Sequence, residues 1–267
     1  MMVNKDLLVT DILPRVSQPA RYTGHELNAG AGYRADAEAT LLLAFPDVYE
    51  VGMSYIGFKI LYDIVNSNQA WAAERAFAPW PDMEAQMRIH GIPLYGLETY
   101  TPARSFDLMG FTLQYELTYS NVLCMLELAG IPVRADERRE GDPIIIAGGP
   151  CASNPEPMAP FLDLVVVGDG EEAIAEIMLE TARGKREGVS RAAIVSRLAK
   201  IAGVYWPQAQ NHVTRRVVAD LDLAEYPRKF VVPFLEAVHD RVALEVMRGC
   251  SRGCRFCQAG MIYRPVR

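Results

Sequence analysis

The chain has 267 residues, half of them apolar and 22% charged, with a formal net charge of −6. This is globular composition for one large domain or two smaller ones. The acidic, interspersed charge gives no footprint for nonspecific nucleic-acid binding, and no stretch approaches the roughly 20 apolar residues that span a bilayer.

The first residues, Met-Met-Val-Asn-Lys-Asp, lack the charged-then-apolar layout of a secretion signal. Of the five cysteines, three fall within eight residues, which is metal-site spacing rather than a disulfide framework. A cytoplasmic protein is expected.

Residues 1–37 are polar and irregular and read as an N-terminal arm. Thr40–Phe45 is a short apolar run ending in Pro46-Asp47, the pattern of a buried strand. Gly52–Asn68 has helical spacing, with Ser54 as its cap. Ala76–Pro79 reads as a second strand and Asp82–His90 as a helix stopped by Gly91. Asp107–Leu113, Pro143–Ala147 and Leu164–Val167 read as further strands, with a helix over Leu117–Ala129. Gly168-Asp169-Gly170 turns into a helix over Glu171–Arg183, and Asp169 and Glu172 have the spacing of a capping box.

Apolar strands alternating with amphipathic helices predict an α/β fold, with a doubly wound parallel sheet over residues 38–185. Residues 186–235 read as a helix over Ser190–Ile201, an antiparallel β-ribbon within Gly203–Leu223 and a linker. Residues 236–267 begin another domain, with Val242–Met247 as its first strand.

Directly after that strand comes Cys250-Ser-Arg-Gly-Cys254-Arg-Phe-Cys257. Thiolates are soft anionic ligands suited to iron–sulfur clusters and zinc. Three of them leave one iron of a four-iron cluster open. Gly249 and Gly253 let the backbone bend close to a cluster, and Arg248, Arg252 and Arg255 offset its charge. The competing readings are a zinc knuckle with His239 as fourth ligand, or three unrelated thiols. Structural zinc sites use four ligands in paired spacings, and no second pair exists here.

The loop resembles that of radical S-adenosylmethionine (SAM) enzymes, which have an aromatic residue where Phe256 stands. In such enzymes the open iron binds SAM, and one electron cleaves the sulfonium to give a 5′-deoxyadenosyl radical. The resemblance therefore implies metal ligation by Cys250, Cys254 and Cys257, a [4Fe-4S] cluster and SAM as cofactors, and a reductant partner such as flavodoxin or ferredoxin. It implies no particular substrate.

The preceding domain is similar to cobalamin-binding modules, which carry Asp-x-His-x-x-Gly after the first strand. Here the loop reads Asp47-Val-Tyr49-Glu-Val-Gly52, with Tyr49 in place of the cobalt-ligating His. A phenol is a poor cobalt ligand beside neutral imidazole, so any bound cobalamin would lack a lower protein ligand. Gly110-Phe-Thr112 and Gly148-Gly149 match segments that surround the nucleotide tail in such modules. The candidate cofactor-binding set is thus Asp47, Tyr49, Gly52, Ser54, Thr112, Gly148 and Gly149. Tyr49, Glu50 and Ser54 are expected to line the crevice at the strand's carboxyl end.

Across nearly its whole length the chain resembles an uncharacterised family of radical SAM proteins with an N-terminal cobalamin-binding-like domain. The segments carrying this include Phe45–Ser54, Gly110–Glu116, Asn154–Pro157 and His239–Cys250. Family members continue into a full (β/α) barrel of about 200 further residues, whereas ten residues follow Cys257 here. The expectation is an N-terminal fragment ending in an incomplete barrel. The alternatives are a cobalamin-like ligand-binding module and an inactive fragment.

Overall fold

Every residue of Ala39–Phe45, strand β1, is buried, as a parallel strand covered on both faces requires. From it the chain runs through helix α1 (Ile56–Ser67), β2 (Trp71–Phe77), α2 (Pro81–His90), β3 (Leu108–Thr112), α3 (Tyr119–Leu128), β4 (Ile144–Gly148) and β5 (Leu164–Val166). Helices α4 (Glu171–Glu187) and α5 (Arg191–Leu198) and the two-residue β6 (Val204–Tyr205) follow. The structure is a computed structural model and describes residues 3–267.

The strands lie in the order β2-β1-β3-β4-β5-β6. The first five are parallel, and β6 runs antiparallel to β5. This is the predicted doubly wound α/β sheet. The winding direction reverses between β1 and β3, so their carboxyl ends form the switch point where such sheets bind ligands. Helices α1 and α4 pack against each other over one face. Helices α2 and α3 are neighbours through Arg88, which lies 3.6 Å from Glu127. No described helix is long and apolar enough to cross a membrane.

Several local expectations are corrected. The second strand starts earlier than Ala76, at Trp71, because Glu74 and Arg75 are fully buried despite their charge. Arg75 Nη2 lies 2.7 Å from Glu26 and its Nε 2.7 Å from Glu98. Burial alone would lower the Arg75 pKa, but the Glu98 and Glu26 carboxylates raise it above the ordinary value. Leu97 N donates to Arg75 O at 2.9 Å, so the loop after α2 covers the edge of β2.

The first 37 residues are not a free arm in the described part. Leu8, Ile12, Leu13, Val16 and Tyr22 are buried in the main core. The predicted ribbon within Gly203–Leu223 does not form. Val204–Tyr205 instead pairs with β5, and Arg216 bridges in parallel to Gly168.

The capping box at Asp169 is absent. Gly170 is the N-cap of α4 and no side chain caps it. Ser54 does not cap α1 either: a helical turn at Tyr49–Gly52 comes first, and Tyr55 is the cap residue. Residues 242–247 are extended without strand pairing, and Val242, Leu244 and Val246 are exposed. A parallel strand exists only beside a neighbour that accepts its ladder, and among the described residues no strand pairs with this segment.

Candidate functional site

A cleft of about 560 Å³ opens over the sheet face that α1 and α4 flank. Its floor is Leu41 and Leu43 of β1, Gly110 and Thr112 of β3, Ile146 and Gly148 of β4, and Val166 of β5. The registry explains why these residues share a face. Leu43 pairs with Gly110, Gly110 with Ile146 and Thr112 with Gly148, and alternate residues of each strand point the same way. Ile56, Ile60 and Leu61 line the α1 wall, and Ala173, Ile174 and Ile177 the α4 wall. The interior is therefore apolar, in a volume typical of small-molecule sites.

Two glycines create the floor. A Cβ on Gly110 would meet only Leu41 Cδ1 at 3.5 Å and Leu43 Cδ2 at 3.9 Å. One on Gly148 would meet Val166 O at 3.7 Å. Side chains would fit there without clash, so their absence serves the space rather than the packing. Gly149 differs: its φ is +98°, and a Cβ would lie 2.7 Å from Leu113 O. That turn requires glycine.

Polar groups gather toward the mouth: Gln114, Ser153, Asp169, Glu171, Arg215 and Arg248. Gln114 Oε1 is buried there with no hydrogen-bond partner among the described residues, a condition that favours an incoming donor. Tyr55 and Tyr263 line the same mouth. Burial, with Tyr263 adding to it, pushes the Tyr55 hydroxyl up to about 12.

The sequence-predicted residues divide between two places. Thr112, Gly148 and Gly149 line the cleft, whereas Asp47, Tyr49, Gly52 and Ser54 do not. Tyr49 is 1% exposed, so it does not line the crevice as expected. Its hydroxyl donates to Glu26 Oε1 at 2.8 Å and accepts from Phe234 N at 3.2 Å. Burial and the Glu26 carboxylate raise its pKa far above the usual phenol value.

Asp47 accepts from the Tyr115 hydroxyl at 2.7 Å and so ties the loops after β1 and β3 across the switch point. Gly52 passes against Phe77 and Phe45, where a Cβ would come within 2.4 Å of Phe77 Cε1. The Ser54 hydroxyl donates to Glu50 O at 2.7 Å and accepts from His239 N at 3.0 Å. Glu50 itself pairs with Arg21 at 2.9 Å.

The cysteine loop lies beside this cleft. Cys250 lines it together with Met247, Gly249, Ala259 and Ile262. Cys250 and Cys257 are half-buried, Cys254 is exposed, and all three are free thiols. The loop leaves Arg248 through Gly249, whose φ is +94° and whose Cβ position lies 2.7 Å from Tyr263 O and Pro265 O. Among the described residues no three His, Cys, Asp or Glu side chains converge in metal-binding geometry. The donor set nevertheless suits cluster iron: three thiols on one short loop, with no disulfide competing for them.

Gln114, Tyr55, Tyr263 and the Asp169–Arg248 contacts were not singled out as site residues from sequence. For Gln114 a signal existed, since it lies two residues beyond Thr112 at a strand's carboxyl end. Tyr263 and Arg248 reach the cleft only through the chain's fold-back, which has no local pattern.

Comparison with known proteins identifies the family. A family model described as "Radical SAM proteins, N-terminal" matches residues 57–207. An uncharacterized protein of Methanocaldococcus jannaschii is 30% identical over 188 residues, covering 66% of this chain and 35% of that protein. The chain thus spans about a third of that relative's length. Among solved structures, the cobalamin-dependent S-adenosylmethionine radical enzyme OxsB, with aqua-cobalamin and S-adenosylmethionine bound, superposes at a TM-score of 0.49. It is 16% identical and matches 82% of this chain and 28% of its own, an overlap too low to bear on ligands. The family model covers more than half of the chain, and the chain accordingly belongs to the radical SAM proteins, whose N-terminal region its doubly wound domain carries.

Proposed function

We propose that the protein works as part of a radical SAM enzyme in which Cys250, Cys254 and Cys257 hold a [4Fe-4S] cluster. The observation that carries this reading is the three-thiol loop, which sets Cys250 at the wall of a cleft at the carboxyl end of a parallel sheet. A bound cluster would supply the electron that cleaves the SAM sulfonium. The chain's own residues would bind and orient. Arg248 and the backbone around Gly249 carry the loop, and the cleft's apolar walls exclude water from whatever enters. A flavodoxin- or ferredoxin-type protein would be the reductant. The test is electron paramagnetic resonance of the anaerobically reconstituted, reduced chain. A cluster signal that SAM perturbs supports the reading, and a signal indifferent to SAM contradicts SAM binding by this chain.

A second reading rests on the cleft alone. Its glycine floor, apolar walls and unpartnered Gln114 Oε1 suit a flat, largely apolar group bearing a hydrogen-bond donor. The dimethylbenzimidazole base of cobalamin is flat and apolar, its attached ribose carries a hydroxyl donor, and the family resemblance makes cobalamin the ligand to try. Tyr49, buried and bonded to Glu26, offers no cobalt ligand. Titration with cobalamin should show binding weakened by Gly110→Val, which narrows the floor. Equal binding by both proteins would rule the cleft out.

A further inference from the structure

The turn Gly168-Asp169-Gly170-Glu171 carries ion pairs that starting a helix does not require. Asp169 does not cap the helix, whose N-cap is Gly170. Its Oδ2 accepts from Arg267 Nη1 at 2.5 Å and from Val218 N at 2.8 Å, and its Oδ1 lies 3.7 Å from Arg248 Nη1. Glu171 accepts from Arg248 Nη2. These side chains are largely buried: Arg248 is 14% exposed, Asp169 10% and Glu171 9%. Arg248 lies two residues before Cys250. Its N–H donates to Arg267 O at 3.1 Å, and Arg267 N–H donates back to Arg248 O at 3.0 Å. Both ends of the cysteine loop therefore meet over one acidic turn of the doubly wound domain.

We propose that Asp169 and Glu171 are positioning residues, an acidic seat that clamps Arg248 and Arg267 and so holds Cys250 against the cleft. The inference rests on the reading of Cys250, Cys254 and Cys257 as cluster ligands, but the seat is a property of the protein without a cluster. Exposed ion pairs contribute little, whereas a buried pair that loses one partner leaves an uncompensated charge. Arg248 also pairs with Glu245 at 2.6 Å within its own segment, so that charge stays partnered when an acid of the turn is neutralised, but the tie between the loop and the turn is cut and the loop should loosen. Neighbouring pairs on the same helix provide a control. Glu176, 47% exposed, binds Arg216 at 2.6 Å rather than a residue of the loop.

The test uses the full chain free of metal, with iodoacetamide labelling under native conditions read by mass spectrometry at each cysteine. Arg248→Gln, Asp169→Asn and Glu171→Gln should each speed labelling of half-buried Cys250 by about tenfold. Labelling of exposed Cys254 should stay as in wild type, Glu176→Gln should behave as wild type throughout, and Arg248→Lys should fall between. After anaerobic loading, the same variants should alter the reduced cluster's resonance signal while Glu176→Gln leaves it unchanged. Unchanged Cys250 labelling overturns the seat. So does a uniform rise that includes Cys124 and Cys151, since that reports a role in overall folding only. A wild-type protein that takes up no iron defeats the cluster reading instead, and leaves the labelling result standing as the test of the seat.

Discussion

Tyr49→Phe removes one oxygen from the core and tests where the structure places this side chain. The hydroxyl has two partners: it donates to Glu26 Oε1 at 2.8 Å and accepts from Phe234 N at 3.2 Å. Glu26 keeps Arg75, whose Nη1 and Nη2 donate to its two oxygens at 3.1 and 2.7 Å. Its loss is therefore one charge-assisted bond, about 1.5–3 kcal/mol. Phe234 N is left without its acceptor in a half-buried place, which adds to the cost. The ring still packs edge-on against Phe77, centroids 5.2 Å apart, so no cavity penalty arises. The expected destabilisation is about 2–3 kcal/mol, a large share of a typical domain's stability. Urea unfolding with linear extrapolation measures it, with the slope unchanged.

Tyr49→His should be destabilised further, because it also loses ring packing. Its absorption spectrum with cobalamin should match that of wild type, since position 49 does not line the cleft. A loss below about 0.5 kcal/mol in Tyr49→Phe, or an imidazole-ligated cobalt spectrum in Tyr49→His, would refute the placement.

Glu74 predicts a pH signature. Burial, with the Glu98 charge adding, raises its carboxyl from 4.5 to about 6. The folded state then holds this proton more tightly than the unfolded chain does. Its contribution favours folding below pH 4.5 and is lost as pH rises through about 6, a change of about 2 kcal/mol. Glu74→Gln should remove that component from the stability–pH curve, and a curve still parallel to wild type over that window would count against it. Gly149 and Gly110 should respond differently in thermal melts. Gly149→Ala, at φ +98° with Leu113 O in the way, should cost about 1–3 kcal/mol. Gly110→Ala, meeting only ordinary contacts, should be near neutral. Equal losses at both positions would contradict the assignment of Gly110 to the floor of an open cleft.

Much of the fold was legible because buried parallel strands are written as apolar runs. TLLLAF, PIIIA and LVVV each fall on observed strands. The second strand was misplaced for the same physical reason in reverse. Glu74 and Arg75 break its apolar run, and their burial depends on partners distant in sequence: Tyr33 N and Thr99 for Glu74, Glu26 and Glu98 for Arg75. The N-terminal segment looked like a loose arm since its apolar residues are scattered, yet Leu8, Ile12 and Leu13 meet in the core. Residues 242–247 have strand character in sequence, but pairing belongs to the partner strand as much as to the segment.

At the site, spacing alone singled out the three cysteines. The strand-end residues Thr112, Gly148 and Gly149 were named through their match to cobalamin-module segments, and they line the cleft because they lie at the ends of adjacent parallel strands on one face. The loop after β1 was read as part of that cleft, but Asp47 and Tyr49 instead bond to Tyr115 and Glu26. Asp169 looked like a helix cap on spacing, and its contacts with Arg248 and Arg267 arise only when the chain's last segment folds back.

Function in this protein turns on what Cys250, Cys254 and Cys257 hold. Anaerobic reconstitution followed by iron, sulfide and zinc analysis should give about four iron and four sulfide per chain. Replacing all three cysteines with alanine should abolish both. Stoichiometric zinc, or no metal at these cysteines, would contradict the cluster reading.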